Sequence, residues 1–485
     1  MKEKVISLVN IGFAVFFSIN CHSQVPVLTP VIEKRIQQVE NNLLSWVQTR
    51  DTLKWSLESR MRQYNVAGLS IAVINDNKIE WAKGYGWADI AEKRPVTTET
   101  LFQAASISKS LNSLGVLALV QDKKLSLDAD INDYLKTWKF PYDTKSNNKK
   151  ITIANLLSHT AGLSVHGFPG YAVTDQLPSL VDILDGKKPC NTQSVRSVFE
   201  PGLRFQYSGG GIEILQAVVT DVTGEPYDKY MADHVLVPLN MKNSFYTQPP
   251  PFIKKVNLAT GYRNDGKEIE GKYHVYPEQA AAGLWTNPID LCKYILDTQN
   301  SLHGKKGKVL TSEMTKLRLT PYDGMQAGFG VFIEKHGNGT YFTHSGGNEG
   351  FRCVYIASMD EGKGLVVMLN SDNGNILNKI MNSVATVYDW KNFYNPVTKE
   401  VISLADSIKN TYTGRYELQG IPVTIAAEDG QMMLDYRNMK VQMFFVSPTE
   451  FFMTELQGNN RFIINSAGKV TGFFINGNTL VKKVK

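Results

Sequence analysis

Apolar residues recur at steps of three or four through the first part of the chain, with charged residues between them. The positions are Val31, Ile32, Ile36, Val39, Leu43 and Val47. This spacing is typical of an amphipathic helix. It predicts a helical pattern through residues 29–64, with residues 29–50 as an N-terminal helical extension of the main domain.

The pattern then changes to runs that are typical of strands. Residues 66–73 are almost continuously apolar, Asn75, Asp76 and Asn77 favour a tight turn, and residues 78–84 return. Together they predict a β-hairpin. Four more strand signals come in pairs far along the chain, at residues 328–333, 340–343, 351–358 and 364–369.

Helical spacing returns between the hairpin and the later strands. One predicted helix opens near Ser106, another spans residues 212–222, and a third spans residues 289–298. Residues 164–200 are rich in Gly and Pro and predict a long loop that could cover a cleft.

The pattern of apolar and polar residues changes again near residue 400. Short β runs alternate with turns, at residues 416–418, 423–427, 432–436, 442–446, 451–454, 462–465 and 470–475. This spacing predicts a small antiparallel sandwich or barrel in residues 400–485. The remaining chain, residues 24–395, is then the main domain.

Composition places few further limits on the protein. The chain has 485 residues, 42% hydrophobic and 20% charged, which is ordinary for a globular protein with more than one domain. Its formal charge of +6 is mild, and no basic stripe is interleaved with aromatic residues. A nucleic-acid partner is therefore not expected. The spacing of His and Cys suggests no metal site, and we expect no cofactor.

The first 23 residues resemble a secretory signal peptide. Lys2 and Lys4 precede an apolar stretch over residues 5–19, and Ser23 offers a small residue at a cleavage point. An alternative is lipidation at Cys21, which would anchor the mature chain to a membrane. The apolar stretch is short for a membrane span, and no second candidate follows. We therefore expect an exported, periplasmic protein with no transmembrane span after cleavage.

Three short motifs occur in an informative order. Ser106-Ile107-Ser108-Lys109 opens the first predicted helix, and Tyr207-Ser208-Gly209 and His344-Ser345-Gly346 follow. Two other Ser-x-x-Lys sequences, Ser146/Lys149 and Ser466/Lys469, lie in polar turn-like contexts and are interpreted as coincidences. On a helix, Lys109 lies one turn after Ser106 on the same face.

These residue types suit acyl transfer. A serine hydroxyl is a weak nucleophile until a base removes its proton, and Lys109 can do so as a neutral amine. Tyr207 could share that role or relay the proton, and His344 would supply a polar or positive group. The backbone N–H groups of Ser106 and Gly347 are candidate donors to the oxyanion.

The chain resembles the penicillin-recognising serine hydrolases, in particular the group of class C β-lactamases, D-alanyl-D-alanine carboxypeptidases, D-aminopeptidases and related esterases. The resemblance covers roughly residues 50–390. It rests on five blocks in order: residues 102–109, 157–163, 201–211, 281–291 and 344–347.

The resemblance implies an α+β fold, with an antiparallel β-sheet flanked by helices, a helical lobe beside it, and the site between them. It also implies that Ser106 is the acylated nucleophile, that Lys109 and Tyr207 are base and proton relay, and that His344, Ser345, Gly346 and Gly347 contact the substrate or the oxyanion.

Two departures from the family pattern affect the expected substrate. Many β-lactamases of this group have Asn where this chain has Gly209, and that side chain hydrogen-bonds a substrate acylamide. They have Lys where this chain has His344, whose charge depends on pH. Both changes favour an esterase or peptidase that acts on a small ester or a D-amino-acid peptide. The alternatives are a β-lactamase, or a penicillin- or peptidoglycan-binding sensor that is acylated without fast turnover.

Four residues near the motifs have structural or open interpretations. His159 precedes a Gly-containing turn and is interpreted as structural. Trp285 could line the cleft or cap a helix. Thr286 or Asn287 could cap the helix that has Pro288 at its first position.

Overall fold

The computed structural model describes residues 28–50, 55–324, 327–418, 420–436, 439–454 and 456–484. The predicted signal segment, including Cys21, lies outside these residues. Within the described ranges, no helix has both the length and the apolar composition needed to cross a membrane.

A seven-stranded antiparallel sheet forms the centre of the main domain. Its strands, in order across the sheet, are Arg94–Pro95, Lys78–Asp89, Gly68–Asn75, Gly364–Leu369, Phe351–Ser358, Gly339–Asn348 and Phe332–His336. The predicted hairpin is present, and Asp76 and Asn77 have the positive φ angles, 51° and 58°, that its two-residue turn requires. Its first strand pairs with Gly364–Leu369, so the two ends of the domain meet in mid-sheet.

Both faces of the sheet are covered, which explains why its hairpin strand reads as a continuous apolar run. Ile71 and Val73 face one core, whereas Ala72 and Ile74 face the other. The first core is packed by helices Pro30–Glu40, Leu57–Gln63 and Asn375–Val387. The second is packed by helices Ser108–Gln121 and Pro288–Leu302. The α+β prediction, an antiparallel sheet flanked by helices, is confirmed.

A helical lobe extends the second core. Its helices are Ile131–Tyr134, Ile153–Leu157, Leu180–Asp185, Gly209–Thr223, Tyr227–Met231, Gln279–Ala282 and Ser312–Leu319, with a π-turn at Ala232–Leu236 and 3-10 turns at Ala105–Ile107, Thr144–Ser146, Phe252–Asn257 and Tyr322–Gly324. A two-stranded ladder, Phe102–Gln103 with Trp285–Thr286, connects this lobe to the segment just before Ser106.

The N-terminal extension is less helical than its spacing predicts. The helix over residues 29–50 is wrong beyond Glu40, because Val47–Thr49 forms a short strand parallel to Val397–Lys399. Val47 pairs there with Val397, 350 positions along the chain. Local periodicity carries no information about such a partner, and tertiary pairing overrides it.

The C-terminal residues form a closed eight-stranded barrel, which resolves the choice between sandwich and barrel. Its strands are Gly414–Leu418, Ile421–Glu428, Gln431–Tyr436, Met439–Phe445, Glu450–Met453, Leu456–Ile464, Val470–Ile475 and Thr479–Lys483. The seven predicted runs miss Thr479–Lys483, in which only Val481 is buried. Helix Asp406–Tyr412 precedes the barrel, and its Tyr412 ring stacks on Phe462 inside it at 3.8 Å between centroids.

Candidate active site

Ser106 lies directly before a deeply buried helix of the domain. It belongs to the 3-10 turn Ala105–Ile107, which runs directly into helix Ser108–Gln121. The Ser108 hydroxyl donates to the Ala105 carbonyl at 2.6 Å and accepts from the Leu284 N–H at 3.0 Å, which fixes the turn. Ser106 itself is half-buried, so it stays partly accessible, whereas its neighbours Ala105 and Ile107 are buried.

Lys109 lies one turn further on and reaches back to Ser106. Its Nζ is 3.1 Å from the Ser106 Oγ and donates to the Ala281 carbonyl at 2.7 Å. It also lies 5.1 Å from the centroid of the Tyr207 ring, and only 2% of Lys109 is exposed. The structure therefore brings these three predicted residues together around one buried amine.

Tyr207 is positioned by its neighbour Ser208 and by the ring of His159. Ser208 caps helix Gly209–Thr223 by accepting from the Gly211 N–H at 3.0 Å. His159 Nδ1 accepts from the Ser208 N–H at 3.2 Å, and its ring centroid is 4.4 Å from that of Tyr207. Burial first, and then the Lys109 charge, lower the pKa of His159 well below its usual value, so it is a neutral acceptor.

The Gly346 strand lies directly against the Ser106 turn. A Cβ at Gly346 would be 2.3 Å from the Ala104 carbonyl oxygen and 2.7 Å from the Cys353 Sγ. These distances are far inside van der Waals contact, so only glycine permits this approach. The third motif is thereby placed beside the first.

The same strand offers a free edge to a substrate. Strand Phe332–His336 pairs with it only as far as Thr343. In the part of the chain that the structure describes, no strand borders that edge of residues 344–348. Ser345 and Gly347 are exposed there, so Gly347 remains the candidate oxyanion donor opposite Ser106.

His344 was predicted to contact the substrate or the oxyanion, but its side chain is buried. It is 3% exposed, and its Nδ1–H donates to the Ser345 carbonyl at 2.7 Å. Burial, and next the positive charge of Lys109, lower the pKa of His344 to about 3. The positive group considered from the sequence is thus a neutral imidazole over the usual working range of pH, and it cannot attract a carboxylate by charge.

Two buried carboxyl groups, Glu213 and Glu278, lie near each other on the Ala281 side of Lys109, and no motif in the sequence indicated them. Glu213 Oε1 accepts from the Ala281 N–H at 2.9 Å. The carbonyl of the same Ala281 accepts from Lys109. Neither oxygen of the fully buried Glu278 has a hydrogen-bond partner among the described residues. Burial is the first cause that raises the pKa of Glu213 well above 4.5 and that of Glu278 to about 8. Helical spacing could place Glu213 on the helix that follows Tyr207, but it could not show which groups Glu213 faces.

Glu278→Gln should make the protein relatively more stable as the pH rises. The pKa of Glu278 is raised on folding, so its contribution is fully present below about pH 4.5 and is lost as the pH approaches 8. The glutamine of the variant does not titrate, so the variant does not lose this stability as the pH rises. Its free energy of unfolding relative to wild type should therefore rise by up to about 1.4 kcal/mol per pH unit in that window. Denaturant unfolding of both proteins at pH 5 and pH 7.5 measures it, and a pH-independent difference would contradict a neutral buried Glu278.

Trp285 and Asn287, whose roles were left open by the sequence, both have structural roles. Trp285 neither lines a cleft nor caps a helix, because it is fully buried between Phe245 and Tyr273 in the second core. Asn287 is the helix cap and accepts from the Asp290 N–H at 2.9 Å.

The two other Ser-x-x-Lys sequences do not build comparable sites. Ser146 donates to the Asp143 carbonyl within a 3-10 turn, while Lys149 forms an ion pair with Glu200. Ser466 is exposed in a hairpin of the C-terminal barrel.

An antiparallel sheet, a helical lobe and a Ser–Lys–Tyr cluster between them define the architecture of a penicillin-binding-protein-like serine hydrolase. The family model described as Beta-lactamase matches residues 55–384. The chain belongs to the β-lactamase family.

Individual relatives agree with this assignment. The chain is 26% identical to protein flp of Staphylococcus aureus (strain MW2) over 384 residues, covering 76% of this chain and 70% of that one. It is 24% identical to penicillin-binding protein 4* of Bacillus subtilis (strain 168) over 394 residues, covering 77% and 84%.

Solved structures show the same fold at lower identity. The octameric penicillin-binding protein homologue from Pyrococcus abyssi is similar with a TM-score of 0.62 and 21% identity, covering 88% of this chain and 98% of that one. A penicillin-binding protein from Bacillus halodurans is similar with a TM-score of 0.55 and 22% identity, covering 69% and 100%.

Proposed function

We propose that the protein is an exported serine hydrolase that cleaves a small ester or amide through an acyl-enzyme at Ser106. The observation that carries the proposal is the Lys109 amine, 3.1 Å from the Ser106 hydroxyl and buried beside Tyr207. A buried amine in hydrogen-bond reach of a serine hydroxyl is the arrangement that an activated nucleophile needs.

The chemistry follows from these positions. The Ser106 Oγ attacks the carbonyl carbon while its proton passes to the Lys109 Nζ, which can accept it only in the unprotonated amine form, and the oxyanion is held by the N–H groups of Ser106 and Gly347. The bond to the leaving group then breaks, and the leaving group takes the proton directly or through Tyr207. Water attacks the acyl-enzyme by the same route, releasing the acid and restoring the serine.

Two features favour simple esters and amides over β-lactams. Gly209 lacks the amide arm of many β-lactamases, and the pKa of His344 near 3 leaves that position uncharged. A β-lactamase, or a sensor that is acylated and stalls, remains the alternative.

A substrate panel separates these functions. Purified protein, with and without Ser106→Ala, is assayed on p-nitrophenyl butyrate, a D-alanine p-nitroanilide and a chromogenic cephalosporin. We expect multiple turnovers of the ester or the D-amino-acid amide, weak turnover of the cephalosporin, and none by the variant. A single stoichiometric burst on every substrate would favour the sensor, and preferred cephalosporin turnover would favour the β-lactamase.

We also propose export with removal of residues 1–23, supported by the charged start and the apolar stretch that follows it. Mass spectrometry of the mature protein should find Gln24, or a lipidated Cys21, at its N-terminus. Retention of Met1 in an envelope fraction would contradict the proposal.

A further inference from the structure

Residues 164–171, which we call the strap, connect the tyrosine motif to residues 274–276. At the tyrosine side, the N–H groups of Gly209 and Gly210 donate to the carbonyls of His166 and Val165 at 3.2 and 3.0 Å. The His166 Nδ1–H in turn donates to the Tyr207 carbonyl at 2.6 Å. The strap is thus attached directly to the motif that carries the candidate proton relay.

The other half of the strap is attached to the far wall. The Pro169 carbonyl accepts from His274 Nδ1 at 3.0 Å and from the Tyr276 hydroxyl at 3.3 Å. The same Tyr276 hydroxyl accepts from the Glu349 N–H at 3.0 Å, just beyond the end of the Gly347 strand. The strap therefore spans from Tyr207 to Tyr276, which contacts Glu349 just after strand Gly339–Asn348.

Close packing makes this bridge rigid. Gly170 has a φ of 71°, and a Cβ there would be 2.6 Å from the Tyr276 ring. Tyr171 and Val275 also exchange two backbone hydrogen bonds, at 2.9 and 2.7 Å. A segment fixed at both ends and packed in the middle excludes substrate from the space that it fills.

Phe168 lies in the space that an amide arm would need. A Cβ at Gly209 would be 3.0 Å from the Phe168 Cε2 and 3.1 Å from the His166 carbonyl oxygen. The amide group of an Asn at position 209 would extend further than its Cβ. The departure at Gly209 is therefore coupled to the aromatic residue that fills its place.

We propose that Phe168 and the strap form a closed, apolar acyl subsite that selects short acyl groups without an acylamido substituent. The inference rests on the proposed acyl-enzyme function, because Gly209 follows the candidate proton relay Tyr207 by two residues and His166 of the strap bonds to both of them. An acylamide at this end would meet the Phe168 ring, which offers no hydrogen bond. Such a group would leave its own polar atoms unpaired on burial.

The test compares two esters with the same leaving group. They are p-nitrophenyl butyrate and the p-nitrophenyl ester of N-benzyloxycarbonyl-alanine, whose acyl group carries the acylamide-like substituent. Wild type should favour the butyrate in kcat/KM. Phe168→Ala should shift the ratio of kcat/KM values about tenfold toward the blocked alanine ester, because it opens the closed end. Val173→Ala, an exposed apolar truncation just after the strap, is the matched control and should leave the ratio unchanged.

A second pair of variants tests the coupling to position 209. Gly209→Asn alone should not improve use of the blocked ester, whereas Gly209→Asn combined with Phe168→Ala should exceed Phe168→Ala. A Phe168→Ala ratio within twofold of wild type, with activity retained, would overturn the inference while leaving the serine hydrolase proposal intact. Absence of any Ser106-dependent turnover by wild type would instead overturn the proposed function on which the inference rests.

Discussion

Lys109→Met should lower kcat/KM on the best ester by at least about a thousandfold, which corresponds to about 4 kcal/mol of transition-state stabilisation. The substitution keeps an unbranched chain of similar length but removes the amine that lies 3.1 Å from the Ser106 hydroxyl. No other side-chain amine approaches that hydroxyl within hydrogen-bond distance among the described residues. Without it, the serine has lost the group proposed to take its proton.

Steady-state kinetics and circular dichroism together check this expectation. The matched control is Lys149→Met, which alters a second Ser-x-x-Lys sequence but removes only a half-exposed ion pair with Glu200. Such surface pairs contribute little to stability, so activity should stay near wild type. A Lys109→Met protein that is folded and retains more than a tenth of wild-type activity would contradict the role of Lys109 as base.

Gly346→Ala should abolish most of the activity through the backbone rather than through any lost functional group. Its Cβ would lie 2.3 Å from the Ala104 carbonyl oxygen, and backbone atoms there cannot move aside as a flexible side chain could. The strand must therefore shift away from the Ser106 turn. Displacements of about 1 Å in a catalytic site can cost a hundredfold in rate, and we expect at least that loss.

Gly374→Ala is the control for an added methyl group without a clash, at the N-cap of helix Asn375–Val387 rather than on the strand. Its Cβ would meet the Arg352 side chain at 3.5 Å, which is ordinary contact. Both variants are compared by kcat/KM and by thermal unfolding. Gly346→Ala with wild-type kcat/KM would show that the close approach of strand and turn is not needed for turnover.

The sequence predicted those features that depend on local patterns. The hairpin was visible because Asp76 and Asn77 tolerate positive φ, and Ser106 and Lys109 were paired because helical spacing puts them on one face. The α+β fold class followed from the motif order through the family resemblance. Each turn, helical pair or motif lies within a few consecutive residues, and only the order of the motifs spans the domain.

Features that depend on distant partners were not predictable. Val47 belongs to a strand only because residue 397 pairs with it, and the Ala281 carbonyl holds Lys109 through a backbone atom that any residue carries. The charge of His344 depends on how deeply it is buried, and that burial is set by the packing of the strand and not by its local sequence. The apolar filling of the Gly209 space by Phe168 likewise required the fold of the strap.

Peptide mapping of the covalent adduct tests the central claim most directly. The protein is incubated with a fluorophosphonate probe, and the labelled peptide is identified by mass spectrometry in wild type and in Ser106→Ala, Ser146→Ala and Ser466→Ala. One equivalent of probe should attach to Ser106, should be absent from Ser106→Ala, and should persist in the other two variants. An adduct that survives in Ser106→Ala, or that maps to another residue of the wild type, would contradict the assignment of Ser106 as the nucleophile.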